Sequence, residues 1–176
     1  GGPDGLIAIT RWVQLPPREE MKLFGTAVAA LRSAGVREPG EHLGWLRGWA
    51  TSTLVVSRAQ LNPAQLRGLE GFAERRGFDL AWYPGITEEK VNRYNRLPEP
   101  YYFRGASAWL GADAEGFVAR YKYDIRPATD DRPYFFNGFR WSSFAEMLSL
   151  RGSGGMGLVE GGYPMLIATL AQSLVA

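Results

Sequence analysis

The chain has no cysteine and only one histidine, His42, among its 176 residues. Without cysteine it can form no disulfide, bind no metal through thiolates and use no cysteine nucleophile. A histidine-based zinc site or a Ser-His-Asp triad has almost nothing to build on, because His42 is the only histidine. We therefore expect a structural role for His42 and no metal site.

Neither sign of charge dominates the sequence, and no basic run is present. The lysines and arginines number 20 and the acidic residues 18, which gives a formal net charge of +2. The charges are scattered, whereas a nucleic-acid-binding protein concentrates basic residues on one face. We therefore expect no nucleic-acid partner. The hydrophobic share of 45% is typical of a folded domain with a core, followed here by a tail.

The first elements predict an α/β fold. Leu6–Thr10 is a short, continuous apolar run, which is typical of a buried parallel strand. Pro16-Pro17 then predicts the start of a helix, and Gly35 is placed to end it in left-handed geometry. A strand followed by a helix indicates a layer of sheet covered by helices.

A predicted hairpin and a capped helix follow. His42–Trp49 and Thr51–Ser57 predict two strands with one residue between them, so we expect them to pair antiparallel. Asn62 and Gln65 have the spacing of a reciprocal capping box at the start of a helix, and Gly77 closes that helix. The predicted order is therefore strand, helix, strand, strand and helix.

The second half of the chain is less regular. Phe78–Tyr83 predicts a last strand, and residues 86–112 show no clear period. Asp113 is placed to cap a short helix that reaches Tyr121, and a second capping pattern predicts a final helix over Ser143–Gly152. We divide the chain into strands and helices over 1–85, an irregular and helical aromatic extension over 86–151, and the remainder over 152–176.

The segment Tyr123–Phe136 concentrates charges and rings in a short, mostly non-helical stretch. Asp130 and Asp131 could polarise an amine or hold a cation. Alternatively, they could cap the backbone and form ion pairs with Arg126 or Arg132, which is the interpretation we favour. We expect the aromatic residues in and after this segment to pack against the sheet, and the alternative is contact with a membrane interface; they are Tyr134, Phe135, Phe136, Phe139 and Trp141.

The last residues are glycine-rich and then apolar. Residues 152–162 are typical of a flexible linker. The apolar run Met165–Ala176 is shorter than the roughly twenty residues that a membrane span requires. It is either the start of a transmembrane helix or a short helix docked on the domain.

Several of these stretches resemble the spermidine-synthase-like, Rossmann-type transferases that use S-adenosylmethionine. The similar stretches are Pro3–Thr10, Gly48–Arg58 and Ala81–Asn95. A narrower resemblance, to a bacterial group in which such a cytosolic domain is joined to transmembrane helices, is carried by Ile9–Glu19, Asn92–Asn95 and Ala128–Phe136.

The resemblance implies that the chain is the C-terminal half of a Rossmann-like transferase sheet. The intact protein would transfer an aminopropyl or methyl group from S-adenosylmethionine, or its decarboxylated form, to an amine-like acceptor at the cytoplasmic face of the membrane. The cofactor would bind in the missing N-terminal half, so we expect this fragment to be soluble, to bind no cofactor and to be inactive alone. The alternative is a non-catalytic structural or interaction module.

Candidate site residues come from both kinds of reasoning. Three of them follow the first strand, at the end of an open α/β sheet where ligands bind; they are Arg11, Trp12 and Gln14. Trp49 lies near the place where the resemblance puts an aromatic residue that touches the amine. Tyr94, between Asn92 and Asn95, could line a pocket or belong to a loop whose polar residues satisfy the backbone. With the catalytic candidates Asp130 and Asp131, these residues form the predicted site.

The strand Leu6–Thr10 also predicts a partner. A buried-type strand that lacks a neighbour on one side exposes backbone groups that another chain can pair with. We expect a homodimer or a swapped assembly through this edge, and the apolar run at the C-terminus adds a predicted membrane contact.

Overall fold

The computed structural model describes residues 5–131 together with residues 133, 135, 136, 138 and 140. Within them it shows a mixed α/β fold, with a four-stranded sheet and four α-helices. The strands are β1 (Leu6–Trp12), β2 (Leu43–Arg47), β3 (Thr51–Ser57) and β4 (Asp79–Trp82). The helices are α1 (Glu19–Ser33), α2 (Pro63–Arg76), α3 (Tyr101–Leu110) and α4 (Ala114–Arg120). The predicted order of the first six elements is confirmed.

The sheet has the strand order β1-β3-β2-β4, and every neighbouring pair is antiparallel. The predicted hairpin of β2 and β3 is confirmed. The prediction that Leu6–Thr10 is a buried parallel strand is wrong, because β1 is an outer strand antiparallel to β3 and most of its residues are exposed. An apolar run signals burial, but its neighbours determine strand direction and exposure, and those come from distant parts of the chain.

Helices cover the two faces of the sheet unequally. On one face, Phe24 of α1 stacks on Trp45 of β2 with ring centroids 4.9 Å apart. This core includes Leu54 of β3, with Ile9 of β1 packed against it. On the other face, α2 packs near β2, where Leu69 lies next to Gly44. The alternate residues of β1 that point to this second face are exposed, so α2 covers only part of the sheet; they are Leu6, Ala8, Thr10 and Trp12.

The local helix signals are largely confirmed. The capping box at α2 is present, with Asn62 accepting from the backbone of Gln65 and the Gln65 side chain accepting from the backbone of Asn62. Gly77 ends α2 in left-handed geometry at φ 63°. Asp113 precedes α4 as predicted, but its side chain forms no cap and instead pairs with Arg120. α1 begins after a cis peptide bond between Leu15 and Pro16.

Within residues 86–112, which the sequence predicts to be less regular, the structure forms the helix α3. Tyr102, Ala106 and Trp109 are buried on one face of this helix and join the same core as Phe24 and Trp45. Their spacing is that of a helix face, although aromatic residues and glycine lower its intrinsic propensity. Packing against α1 and the sheet therefore stabilises α3, and the core includes residues from both sides of position 85.

Two predictions concern residues outside the described part of the chain. The helix over Ser143–Gly152 and the apolar run Met165–Ala176 both fall there. Among the described residues, none of the helices combines the length and apolar character needed to cross a membrane.

Candidate functional site at the carboxyl end of the sheet

The candidate site lies at one end of the sheet, which we call the carboxyl end. β1 and β2 run in the same direction because both are antiparallel to β3. Trp12 and Arg47, their last residues, therefore lie at the same end, next to the turn that joins β2 to β3. β4 begins there too, because Asp79 pairs with Arg47. In open α/β sheets, ligands bind outside the carboxyl ends of parallel strands.

Two exposed tryptophans lie at this end. Trp12 is 72% exposed at the end of β1, and Trp49 is 86% exposed in the turn between β2 and β3. The N–H of Val13 donates to the carbonyl of Ala50 across 2.7 Å, which connects the chain after β1 to that turn. The structure thus places both predicted tryptophans on neighbouring backbone segments. Exposed indole faces attract cations.

Arg11 links the same end of the sheet to the aromatic extension. Its guanidinium carbon lies 5.3 Å from the ring centroid of Phe135 and 5.9 Å from that of Phe136. Phe135 packs against the core, whereas Phe136 is exposed. The predicted packing of the aromatic residues is therefore observed for Phe135; Tyr134, Phe139 and Trp141 lie outside the described residues.

Gln14 shapes the loop between β1 and α1. Its backbone N–H donates to Oε1 of Glu20 at 2.9 Å, and its side-chain oxygen accepts from Nε of Arg18 at 2.5 Å. The backbone N–H of Arg18 donates to Oε2 of Glu20 at 3.2 Å. Both carboxylate oxygens of the buried Glu20 therefore hold the loop that follows Trp12.

A phenol from α3 completes this arrangement. The hydroxyl of Tyr102 donates to Oε1 of Glu20 at 2.6 Å. Burial raises the pKa of Glu20, although its hydrogen bonds with Tyr102 and the backbone oppose the change. Burial and the nearby Glu20 carboxylate also raise the pKa of Tyr102, so the phenol remains a proton donor throughout the neutral range.

Arg47 and Asp79 form a buried ion pair beside Tyr102. Nη2 of Arg47 lies 2.9 Å from Oδ2 of Asp79 and also donates to the carbonyl of Asn95 at 2.5 Å. The Arg47 guanidinium carbon lies 5.7 Å from the ring centroid of Tyr102. Burial lowers the pKa of Arg47, and the charge of Asp79 opposes this change.

Asp79 also organises the loop after β4. Its Oδ1 accepts from the backbone N–H groups of Arg93 at 2.5 Å and Tyr94 at 2.9 Å, and its Oδ2 accepts from that of Asn95 at 2.8 Å. The side chain of Asn92, a residue with φ 56°, both donates to and accepts from the backbone of Leu97. The asparagines of this loop thus satisfy backbone groups, which is one of the two roles considered from the sequence.

Tyr94 is separated from the tryptophans by the width of the sheet. The backbone of Tyr94 is hydrogen-bonded to Asp79 at the start of β4, whereas Trp12 lies at the end of β1. β4 and β1 are the two outer strands of the sheet. The ring of Tyr94 lies under the guanidinium of Arg93, at 5.7 Å from centroid to carbon. Tyr94 lines a cleft of about 310 Å³ beside α2, and Glu70 and Lys90 line the same cleft.

Asp130 and Asp131 are exposed, and neither pairs with Arg126. Arg126 instead forms a bidentate contact with Asp124, through Nη2 at 2.6 Å and Nε at 2.8 Å. The other predicted partner, Arg132, lies outside the described residues, so the ion pair of the aspartates stays a prediction.

The structure thus contains a buried polar row that sequence reasoning missed. Glu20, Tyr102, Arg47 and Asp79 follow one another beneath the carboxyl end, and the row joins the loop after β1 to the loop after β4. Acidic residues at the start of a helix predict only a favourable dipole interaction, so nothing local indicated that Glu20 meets Tyr102. In the part of the chain that the structure describes, no cluster of three or more metal-ligating side chains occurs.

The chain matches no protein-family model, no curated protein and no solved structure. What is established is therefore the class of architecture, a mixed α/β fold with an antiparallel sheet and a polar row at one end.

Proposed function

We propose that this chain is the acceptor-binding part of a Rossmann-type transferase that uses S-adenosylmethionine or its decarboxylated form. The observation that carries the proposal is that Trp12 and Trp49 are both exposed on neighbouring backbone segments at the carboxyl end of the sheet. An amine-like acceptor is a cation in water, and two exposed indoles are suited to receive it.

The reaction in this proposal is a nucleophilic substitution. The deprotonated amine nitrogen forms a bond to the carbon next to the sulfonium, the carbon–sulfur bond breaks, and its electron pair remains on sulfur as a thioether. The proton lost from the amine passes to a base. Asp130 and Asp131 are candidates for that base because they shortly precede Phe135, which contacts Arg11.

The cofactor is assigned to residues outside this chain. β1 is an outer strand with its backbone edge unpaired in the described fold, so a strand of the cofactor-binding half can extend the sheet there. The parent protein would lie at the cytoplasmic face of a membrane, and this chain alone would not catalyse the transfer.

Titrating spermidine into the chain tests acceptor binding, with the tryptophan indole N–H signals followed by NMR. We expect the signals of Trp12 and Trp49 to shift, and that of the buried Trp45 to stay. Trp12→Ala and Trp49→Ala should each weaken binding, whereas Phe72→Ala on α2 should not. The absence of a shift at both tryptophans would show that the carboxyl end does not bind the acceptor.

Calorimetry with S-adenosylmethionine and its decarboxylated form tests the cofactor assignment separately. We expect no binding heat from either compound. Tight binding would show that this chain itself contains a cofactor site. In the parent protein, Asp130→Asn and Asp131→Asn should lower the transfer rate, and unchanged activity of both would eliminate the aspartates as the base.

A second candidate function is a non-catalytic interaction module. The observation in its favour is the exposure of apolar side chains along β1 and the loop after it; they are Leu6, Ile7, Trp12 and Leu15. Large apolar side chains exposed along an outer strand favour pairing with another protein. A chain that binds neither spermidine nor cofactor would favour this second function.

A further inference from the structure

An apolar groove lies on the helical side of the molecule, away from the carboxyl end of the sheet. It has a volume of about 620 Å³ and runs between α1 and α4. Val28 and Ala29 form one wall, Ala114 and Val118 form the other, and Trp109 of α3 lies between them. This volume is within the range of small-molecule sites, which are mostly apolar with a few placed polar groups.

Trp109 supplies an unused hydrogen-bond donor beside the groove. Its side chain packs closely on α1, where Gly25 leaves room for the indole, and meets Phe117 edge to face with centroids 6.3 Å apart. The residue is only 6% exposed, yet Nε1 has no hydrogen-bond partner in the described fold. Buried indole N–H groups usually find an acceptor, so this donor indicates a missing one.

The charged residues of the groove are mainly basic. Among the described residues, Arg32, Arg126 and Arg140 line it, together with one acid, Glu115. Arg126 is neutralised by Asp124, and Arg140 donates to the carbonyls of Ala119 and Tyr121. Arg32 is exposed at the end of α1 and makes no ion pair among the described residues. It is therefore the cation of the groove that can receive an anion.

We propose that this groove binds a free single-chain amphiphile with a carboxylate head group. The aliphatic chain lies between α1 and α4, and the carboxylate pairs with Arg32. The unpartnered Nε1–H of Trp109 is the donor that this groove offers to a carboxylate oxygen. The chemistry that selects this ligand is the combination of an apolar wall, an unused donor and an unpaired guanidinium, and it is independent of acceptor binding at the sheet.

Dodecanoate, below its micellar concentration, is the probe for this proposal. We expect saturable binding to the full chain by calorimetry, with a shift of the Trp109 indole N–H signal. Arg32→Gln should weaken dodecanoate binding roughly tenfold, the loss expected for a charge-assisted hydrogen bond. The same change should leave the binding of dodecanol unaltered. Arg67→Gln, an exposed arginine on α2, is the matched control and should bind like the unmodified chain.

Filling the groove should abolish binding. Ala119→Phe on α4 and Ala29→Phe on α1 place a ring between the walls from opposite sides. If one variant fails to fold, binding is measured with the other. Unchanged binding in a folded variant would overturn the proposal, as would the absence of saturable binding. Binding only to phosphatidylglycerol vesicles would assign the surface to a membrane instead.

One further outcome would replace the ligand with the chain itself. If backbone amides of residues 165–176 resist hydrogen exchange and lose that protection in Ala119→Phe, the groove receives the chain's own C-terminal segment. The proposal of a free amphiphile would then be wrong.

Discussion

Asp79 is the residue on which most of the carboxyl end depends. One carboxylate accepts three backbone N–H groups of the loop after β4 and pairs with Arg47, and both side chains are almost fully buried. A buried charge is tolerated only when its hydrogen-bonding capacity is satisfied, and here both oxygens of Asp79 are used. The loop therefore takes its shape from a side chain rather than from regular secondary structure.

Asp79→Ala should lower the free energy of unfolding by about 3–5 kcal/mol, since it leaves the Arg47 guanidinium buried and unpaired. Urea denaturation measures the change. Glu88→Gln is the control, because Glu88 and Arg104 form an exposed pair, for which we expect a loss under about 1 kcal/mol. Equal losses in the two variants would show that the buried pair of Asp79 and Arg47 contributes no more to stability than the exposed pair of Glu88 and Arg104.

Glu20 should make stability depend on pH. Burial raises its folded pKa above the ordinary value of 4.5. Between pH 4.5 and the raised pKa of the folded state, the folded state binds more protons than the unfolded state. The free energy of unfolding therefore falls as the pH rises through this range. The contribution is complete below pH 4.5 and is lost as the pH rises through the folded pKa.

Glu20→Gln removes this titration. As the pH is lowered from neutral towards 4.5, we expect the urea midpoint of the unmodified chain to rise relative to the midpoint of Glu20→Gln. Glu115→Gln, an exposed acid on α4, should keep the pH dependence of the unmodified chain. Parallel curves for the unmodified chain and Glu20→Gln would contradict a raised pKa.

At the scale of elements, two helical glycines differ in the space around them. A Cβ at Gly25 of α1 would lie 2.2 Å from the indole of Trp109, whereas nothing lies within 4 Å of a Cβ at Gly68 of α2. Gly25→Ala should therefore cost about 1–3 kcal/mol by overpacking. Gly68→Ala should stabilise the chain by about 0.5–1 kcal/mol through helix propensity. Thermal unfolding compares them, and a gain for both would mean that α1 and α3 separate easily.

The elements that could be predicted are those with local signals. Asn62, Gln65 and Gly77 specify both ends of α2 through contacts within a few residues, and the structure confirms them. The contact between Glu20 and Tyr102 spans 82 residues, so no local pattern predicts it. The site shows the same division. Trp12 was found from its position after a strand, whereas the buried polar row beneath it depends on how α3 packs.

At the scale of the molecule, β1 is the strand of the sheet that helices cover least. β4 and β2 have helices on both faces, but β1 has α1 on one face and, among the described residues, a backbone edge that no strand pairs with. Protective devices on outer strands include proline, bulges and charged side chains. Leu6–Thr10 has none of these, and Leu6 and Ile7 are more than half exposed, at 52% and 61%.

We expect the chain on its own to self-associate through β1. Pairing the β1 strands of two copies satisfies the free N–H and carbonyl groups and removes Ile7 from water, so light scattering should show a mass above that of the monomer that rises with concentration. Ile7→Lys places an ammonium group along the edge and should yield a monomer. Phe72→Lys, an exposed aromatic on α2, is the control and should associate like the unmodified chain. A monomeric unmodified chain at every concentration would rule out this interface between copies, and the β1 edge would then need a different strand to extend the sheet.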